Sequence, residues 1–510
     1  MTLARGREIW LLVATFLIAA AGLIYELIAA TLSSYLLGDS VRQFSIVIGL
    51  FLSAMGLGAW MSRYFDNAFR AFVWVQILLG ICGGFMAPVL FFTYAWSGDV
   101  AVPLYTLLGL AGVFSGMEIP LIARVLENTG AAKFRFENVL SVDYIGALVA
   151  SLAFPFFVIP HLGLMAASLA FGALNLAVAG FSIWLFRSHL NIGQLAAWVV
   201  AFAVTLVALF HADRMVTLTE AELFEDDVIF SEATPYQQIT VTRFRDRTRL
   251  FLDYSIQFDS MDEHRYHEPL VHPAMGMAPR RNQVLVLGGG DGMALREVLR
   301  HRDVEAVTLV DLDPRVTQIF STQPHLAALN SHAFADPRVT VVNQDAWQFV
   351  EDTTQIFDVV ILDLPDPKSL ALSRLYSRQF YGLLVERLSG QGVLVTQAGS
   401  PLFARDAFWS VVKTLRTTRN PQSPGDGLHV LPYHTYVPSF GAWGFVLATP
   451  QPLRPRSLRL PDGLGYLTPE VWTAAQTFGA DTGPVDVAAN SLQTHRLLEY
   501  YLAGWSEWFD

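Results

Sequence analysis

Aspartates at the ends of predicted strands, in the second half of the chain, are the residues best suited to chemistry. The run GGGDG at 288–292 follows a strand and opens a helix, where glycines let a ligand approach the backbone and the helix N-terminus presents free N–H groups. Asp311 ends the next strand, 21 residues beyond Gly290, where a carboxylate can accept hydrogen bonds from both ribose hydroxyls. Asp345 ends the third strand, where it could meet an adenine amino group. Together these residues predict a nucleoside site.

Asp291 distinguishes this turn from a dinucleotide-binding turn. A carboxylate inside the glycine turn would repel a pyrophosphate, whereas it would attract a cationic nucleoside without phosphate. The turn therefore favours a sulfonium, such as S-adenosylmethionine or its decarboxylated form, over NAD or FAD. The alternative is that Asp291 only caps the helix that follows it.

A second acidic pair follows the fourth predicted strand. Asp363 and Asp366 lie three residues apart in the segment DLPDP, whose prolines stiffen the loop. Ligands of open α/β sheets bind at the carboxyl ends of the strands. Two carboxylates at this edge would form an acidic mouth suited to a polycationic amine, although helix capping or a solvated turn would also explain them.

The elements that must position these residues are a parallel sheet and its covering helices. Continuous Val, Ile and Leu runs alternate with amphipathic helix patterns, which predicts a Rossmann-like α/β domain at 281–510. The runs QQITVTRF and RLFLDYSIQF predict a small antiparallel β domain within 212–280. We expect WGFVLATP to add a late antiparallel edge strand, and RLLEYYLAGWSEW to form a helix packed on the same domain.

Composition separates the first 211 residues from the rest. The chain is 53% hydrophobic and 15% charged, whereas soluble domains carry about 25% charged residues. Residues 1–211 hold nine basic and nine acidic residues, so residues 212–510 carry the whole net charge of −11. These values exclude a uniform globular chain, a disordered chain and a basic nucleic-acid binder. The single cysteine, Cys82, excludes an internal disulfide framework and a cysteine-rich metal site.

Apolar stretches long enough to cross a bilayer recur through residues 1–211, which predicts a membrane α-helical bundle of about seven spans. The stretches are 9–31, 44–62, 71–95, 102–123, 143–160, 163–186 and 194–211. Eight of the nine basic residues of this region fall on one side of the predicted spans, together with the N-terminus, and Arg42 falls on the other. Since cytoplasmic loops carry an excess of Lys and Arg, this bias places the N-terminus in the cytoplasm. These eight are Arg5, Arg7, Arg63, Arg70, Arg124, Lys133, Arg135 and Arg187.

The soluble motifs resemble those of the spermidine synthase (polyamine aminopropyltransferase) family, over about residues 230–450. They occur in the family's order and comprise YQ at 236–237, LDYSIQF at 252–258, DEHRYHE at 262–268, GGGDG at 288–292, Asp311, Asp345, DLPDP at 363–367, and Tyr436 with Pro438. The membrane half lies outside the pattern of the soluble enzymes but resembles membrane-anchored bacterial members.

The resemblance implies transfer of an aminopropyl group from decarboxylated S-adenosylmethionine to a diamine such as putrescine, releasing methylthioadenosine. It implies no permanently bound cofactor and no metal. Asp363 would be the base that takes a proton from the attacking amine. The amine would be bound by Tyr266, Asp366 and Tyr436. The donor would be bound by Gln237, His267, Gly288, Gly290, Asp291, Asp311 and Asp345.

Some positions depart from the family pattern, and they leave details of the pocket open. His267 stands where the soluble enzymes usually have Gln, Leu364-Pro365 replaces two serines, and Tyr254 replaces a glycine. A methyltransferase that uses S-adenosylmethionine on the same scaffold is an alternative. A membrane polyamine transporter or sensor is another, in which acids in or near the apolar stretches would form a path, namely Glu26, Glu118 and Asp143.

The expected partners are small amines, the lipid bilayer and a second copy of the chain, but no nucleic acid. We expect the bacterial inner membrane as the location. Seven spans would put residues 212–510 outside, whereas decarboxylated S-adenosylmethionine is made in the cytoplasm. We therefore expect a cytoplasmic catalytic domain and one miscounted span within 143–186.

Overall fold

The chain divides into two compact units, residues 1–228 and 229–510. The computed structural model describes residues 2–37, 40–128, 136–185, 191–224, 226–423, 425–452, 458 and 460–509. Among the loop charges used to predict the orientation, Lys133, Arg135 and Arg187 lie outside the described residues. The predicted division at 211 and 280 is finer than two units and stays a prediction.

Helices make up the first unit, since its sequence consists largely of long apolar runs. They are α1 (Thr2–Leu37), α2 (Ser40–Met61), α3 (Ala68–Gly84), α4 (Met86–Ser97), α5 (Ala101–Asn128), α6 (Phe136–Ala153), α7 (Ile159–Leu185), α8 (Ile192–Phe210) and α9 (Ala212–Leu223). Within the described residues, six helical stretches are long and apolar enough to cross a membrane.

The number of spans depends on the stretch Glu137–Leu185. It contains 49 residues, whereas about 20 suffice to cross the hydrocarbon. Gly163 inside it has a non-helical backbone, with φ 66° and ψ 175°. This one stretch covers both the fifth and the sixth predicted spans, so the count of seven stays a prediction.

One of the acids singled out in the apolar stretches joins two helices of the first unit. Glu118 of α5 is buried and accepts a hydrogen bond of 2.6 Å from the Gln76 side-chain nitrogen of α3. Polar side chains commonly hydrogen-bond between helices in this way inside membranes. This contact favours a packing role for Glu118.

The second unit begins with the small antiparallel sheet that the sequence predicts. Its strands are β1 (Asp227–Ala233), β2 (Gln238–Phe244), β3 (Arg247–Leu252) and β4 (Ser255–Asp259), adjacent in that order. The β3–β4 turn holds Asp253 and Tyr254 at φ 47° and 62°. This is the left-handed region that favours glycine, which is the residue that the family pattern has at the position of Tyr254.

The main sheet has seven strands in the order β10-β11-β9-β8-β5-β6-β7. They are β5 (Gln283–Gly288), β6 (Ala306–Asp311), β7 (Val339–Asn343), β8 (Phe357–Asp363), β9 (Leu388–Gln397), β10 (His429–Val437) and β11 (Gly441–Thr449). Strands β5 to β9 are parallel, as predicted, and β11 is antiparallel to β9. The prediction that WGFVLATP forms the edge is wrong, because β10 pairs along its outer side.

Both faces of the main sheet are covered, because alternate side chains of a strand point to opposite faces. Leu285 and Leu287 of β5 pack into one core, and Val284 and Val286 into the other. The helices of this unit are α10 (His264–Met277), α11 (Met293–Leu299), α12 (Pro314–Thr322), α13 (Pro324–Leu329), α14 (Ala346–Asp352), α15 (Leu370–Ser373), α16 (Arg378–Glu386), α17 (Arg405–Thr417), α18 (Pro469–Ala475) and α19 (Arg496–Phe509). As expected, the final helix packs on this domain, against α17.

A buried carboxylate ties α10 to the segment before α18. Glu268 is 2% exposed and accepts hydrogen bonds from the backbone N–H groups of Gly465, Tyr466 and Leu467, at 2.6, 2.9 and 2.8 Å. Each of these donors would lose its partner if the carboxylate were removed, and an unpaired buried donor costs roughly 1–3 kcal/mol.

We expect Glu268→Ala to lower the free energy of unfolding by about 2–4 kcal/mol. The measurements are the thermal unfolding midpoint of the purified chain and the rate of amide hydrogen exchange at 465–467. The exposed Glu351 provides the control, since Glu351→Ala should change neither. Unchanged exchange at 465–467 in Glu268→Ala would contradict the assignment.

Candidate active site

A cavity of about 370 Å³ lies at the carboxyl ends of β5, β6 and β8. Strand β5 has β6 on one side and β8 on the other, so this is the point where the strand order reverses. Open α/β sheets bind ligands at such a point. The cavity therefore lies where the sequence places the nucleoside site.

Gly288, Gly289 and Gly290 of the glycine turn line this cavity, and larger side chains would not fit at these positions. A Cβ atom at Gly288 would lie 2.1 Å from the Asp363 carbonyl oxygen, and Gly288 has φ 79°. A Cβ atom at Gly290 would lie 2.6 Å from Asp311 Oδ2. The Gly290 N–H instead donates to that oxygen at 3.0 Å, so the turn and the end of β6 hold each other.

Asp311 and Gln237 line the cavity beside the turn. The second oxygen of Asp311 accepts from the Asp313 N–H at 2.9 Å, and burial raises the Asp311 pKa to about 6. Gln237 donates from Nε2 to Asp313 Oδ2 at 3.2 Å. Two backbone N–H groups, of Gly290 and Asp313, therefore fix the Asp311 carboxylate at the place where a ribose is expected.

Asp345 lines the cavity at the start of α14, but its carboxylate already has partners. One oxygen accepts from the Gln348 N–H at 3.2 Å, and the other pairs with Arg374 Nη2. The structure thus brings Asp345 to the predicted place and shows a helix cap and an ion pair there.

Asp291 lines the cavity and also binds the start of the next helix. Its Oδ1 accepts from the N–H of Met293, the first residue of α11, at 2.8 Å, although the N-cap residue of that helix is Gly292. Burial raises the Asp291 pKa to about 6, against the lowering effect of His267. The two interpretations of this residue are therefore compatible.

His267 places a positive charge among these acids. Its Nδ1–H donates to Glu263 Oε2 at 2.8 Å, and its Nε2 lies 3.9 Å from Asp363 Oδ2. Burial opposes the charged form, but the hydrogen bond and charge of Glu263, with Asp363 and Asp291, raise the His267 pKa to about 9. Glu263 is itself held by Arg296, at 2.9 Å from both oxygens. The histidine that departs from the family pattern at position 267 is therefore a charged imidazolium below pH 9.

Asp363 and Tyr266 meet at the centre of the cavity, although 97 residues separate them along the chain. The Tyr266 hydroxyl donates to Asp363 Oδ1 at 2.8 Å. Burial raises the Tyr266 pKa well above its usual value, so the phenol keeps its proton. Burial also raises the Asp363 pKa, despite the opposing effects of His267 and Tyr266. Asp363 is therefore a carboxylate with increased proton affinity.

Asp366 lies in the same cavity with donors on both oxygens. Gln397 Nε2 donates to its Oδ1 at 3.2 Å, and the Tyr501 hydroxyl donates to its Oδ2 at 2.8 Å. Burial raises the Asp366 pKa, while the hydrogen bonds from Tyr501 and Gln397 and the charge of Lys368 act in the opposite direction. Lys368 also lines the cavity, and its Nζ donates to Ser255 Oγ at 2.8 Å.

The structure does not bring Tyr436 to this cavity. Its side chain is 60% exposed, while its neighbours Thr435 and Val437 on β10 are buried. Successive side chains of a strand point to opposite faces, so Tyr436 points to the side of the edge strand β10 that is exposed at this position. Phe440 and Trp443, which follow Tyr436 along the chain, line the cavity instead.

Sequence reasoning missed several residues that the structure places in the wall. Gln397 ends β9, and its position at the carboxyl end of a parallel strand could have indicated it. Lys368 follows the acidic pair directly, and a cation beside two acids was a usable signal. Tyr501 comes from the final helix, 135 residues after Asp366, and no local pattern points to it.

The fold and the cavity define a Rossmann-like enzyme with an acidic cavity at the carboxyl edge of its main sheet. Residues 263–455 match the spermine/spermidine synthase domain. The polyamine aminopropyltransferase of Leptospira interrogans is 40% identical over 98% of this chain and 99% of its own length. Polyamine aminopropyltransferase 2 of Ralstonia nicotianae is 43% identical over 98% and 99%. The chain belongs to the spermine/spermidine synthase family.

A solved structure of spermidine synthase from Thermotoga maritima is 26% identical, with a TM-score of 0.44, over 49% of this chain and 84% of that one. The relatives lend no support to the methyltransferase or to the transporter alternative. Both full-length relatives are named for aminopropyl transfer.

The imidazolium of His267 predicts a pH-dependent contribution to stability. Its pKa is raised from 6.5 to about 9, so the stabilisation is complete below pH 6.5 and is lost as the pH rises through 9. As the pH rises across this range, the free energy of unfolding of the unmodified chain should fall by on the order of 3 kcal/mol more than that of His267→Gln. Unfolding midpoints from pH 6 to 9.5 test this, with the exposed His429→Gln as control. A difference in unfolding midpoint between the unmodified chain and His267→Gln that stays constant with pH would contradict a charged His267.

Proposed function

We propose that this chain transfers the aminopropyl group of decarboxylated S-adenosylmethionine to a diamine such as putrescine, releasing methylthioadenosine. The chain belongs to the spermine/spermidine synthase family, and one observation on its structure carries the proposal. A single cavity is lined by Asp311 at the expected ribose position, by Asp291 of the glycine turn, and by Asp363 with Tyr266 and Asp366. Both reactants are cations, and an acidic cavity attracts both.

The reaction needs a neutral nitrogen, because an ammonium has no lone pair for attack. Asp363 takes one proton from the amine, and its pKa, raised by burial, makes it a better proton acceptor than an exposed carboxylate. The nitrogen then attacks the carbon bound to the sulfonium, and the carbon–sulfur electron pair goes to sulfur. The products are a neutral thioether and a secondary ammonium, so atoms and charge balance.

Positioning supplies much of the remaining acceleration, since it aligns nitrogen, carbon and sulfur. Tyr266 donates to one oxygen of Asp363, which restricts the carboxylate to one orientation. Asp366 holds the other end of the amine. Asp311 and Gln237 bind the ribose end of the donor, and Asp291 faces its sulfonium. In this proposal His267 reduces the repulsion between Asp291 and Asp363.

We also propose that the first unit lies in a bacterial inner membrane, with the catalytic domain in the cytoplasm. Six candidate spans support the membrane location. An even number would return the second unit to the side of the N-terminus, which the loop charges place inside. A reporter fused after Asp510 tests this, and activity of a periplasmic reporter would contradict it. Self-association stays a prediction, which sedimentation in detergent would check.

We expect Asp363→Asn to lower turnover about 10²- to 10⁴-fold, because the amide cannot accept the amine proton. Methylthioadenosine formed by the purified protein is the measurement, and the thermal midpoint should change little. The exposed Asp352→Asn serves as the matched control. Full activity of Asp363→Asn would reject the role of Asp363.

We expect the decarboxylated donor to bind more tightly than S-adenosylmethionine, because Asp291 repels the carboxylate of the latter. Asp291→Asn should narrow this difference. Calorimetric affinities of both nucleosides for both proteins provide the measurement. Equal affinity of the unmodified protein for the two nucleosides would remove the argument from charge.

A further inference from the structure

The carboxylate proposed to hold the far end of the amine depends on a helix outside the matched domain. The spermine/spermidine synthase domain matches residues 263–455, whereas Tyr501 lies on α19, at 496–509. Its hydroxyl donates to Asp366 Oδ2 at 2.8 Å, and its side chain lines the cavity. The C-terminal helix therefore contributes a group to the active site.

Close packing fixes the place of this helix. A Cβ atom at Gly504 would lie 2.7 Å from the Ala404 Cα, so only glycine permits this approach. The Trp505 ring lies 5.2 Å from Phe403 and 6.0 Å from Tyr501 between ring centroids. Leu497 at the start of the helix is fully buried. The phenol of Tyr501 is thus held in place by the packing of its helix.

The hydrogen-bond inventory shows what this phenol can do. A tyrosine hydroxyl has one donor, which Tyr501 gives to Asp366, and its oxygen can still accept. Gln397 donates to the other oxygen of Asp366 at 3.2 Å, so the carboxylate is oriented from both sides. An ammonium has three donors and needs several acceptors. The oriented carboxylate and the phenol oxygen together provide them.

We propose that Tyr501 is a positioning residue that fixes Asp366 and completes the site for the far ammonium of the acceptor amine. This inference rests on the proposed function. Burial, with the neighbouring Asp366, raises the Tyr501 pKa well above its usual value, so the hydroxyl stays protonated and keeps donating. The proposal separates two ends of the amine, since Tyr501 acts on binding of the far end and Asp363 acts on the reacting nitrogen.

The chain offers a matched control one residue away. Tyr500 lies on the same helix, but its hydroxyl accepts from the Ala488 N–H at 3.2 Å, and it does not line the cavity. We expect Tyr501→Phe to raise the KM for putrescine about 10-fold, as loss of a hydrogen bond to a charged group predicts. We expect kcat and calorimetric affinity for methylthioadenosine to stay within about two-fold. Tyr500→Phe should leave all three values unchanged.

A double-mutant cycle separates positioning from a general packing effect. Tyr501→Phe should add little to the KM of an Asp366→Asn protein if Tyr501 acts through that carboxylate. Equal effects of Tyr501→Phe and Tyr500→Phe, or additivity with Asp366→Asn, would overturn the inference. So would a loss of kcat at unchanged KM. These results leave aminopropyl transfer intact, whereas failure of the proposed function appears as no methylthioadenosine from the unmodified chain.

Discussion

The desolvation of several carboxylates around one cavity is the constraint on which the second unit depends. A buried carboxylate is unfavourable unless donors satisfy it. Gly290 supplies its backbone N–H to Asp311, Tyr266 supplies its hydroxyl to Asp363, and Asp366 has donors on both oxygens. The same contacts that make burial tolerable also orient the acids. The fold therefore holds these acids in an acidic site through internal hydrogen bonds.

Cations within the wall moderate this acidity. His267 is held charged by Glu263, which Arg296 holds in turn, so the imidazolium belongs to a network of ion pairs that extends behind the cavity. Lys368 lies at the amine end, where burial lowers its pKa and the nearby Asp366 opposes that effect. Such groups reduce the mutual repulsion of the acids, which lets several of them remain ionised in one place.

The relatives extend over nearly the whole chain, including the helical first unit. The apolar helices are thus part of what this branch of the family shares, and they are not an addition peculiar to this protein. Within the first unit, the Gln76–Glu118 hydrogen bond joins α3 and α5. The acidic cavity, in contrast, is lined entirely by residues of the second unit, 229–510.

The sequence by itself determined the apolar stretches, the alternation of strands and helices, and the acids at strand ends. These are local patterns, and the carboxyl ends of parallel strands must share one edge, so Asp311 and Asp363 could be placed together in advance. Only the tertiary structure decided which face of β10 carries Tyr436, because a strand's register and the hairpin beside it set that face. It alone brought Tyr501 to Asp366, since contacts between residues 135 positions apart leave no periodic signal. It likewise gave His267 its charge, because a pKa depends on neighbours in space and not on neighbours along the chain.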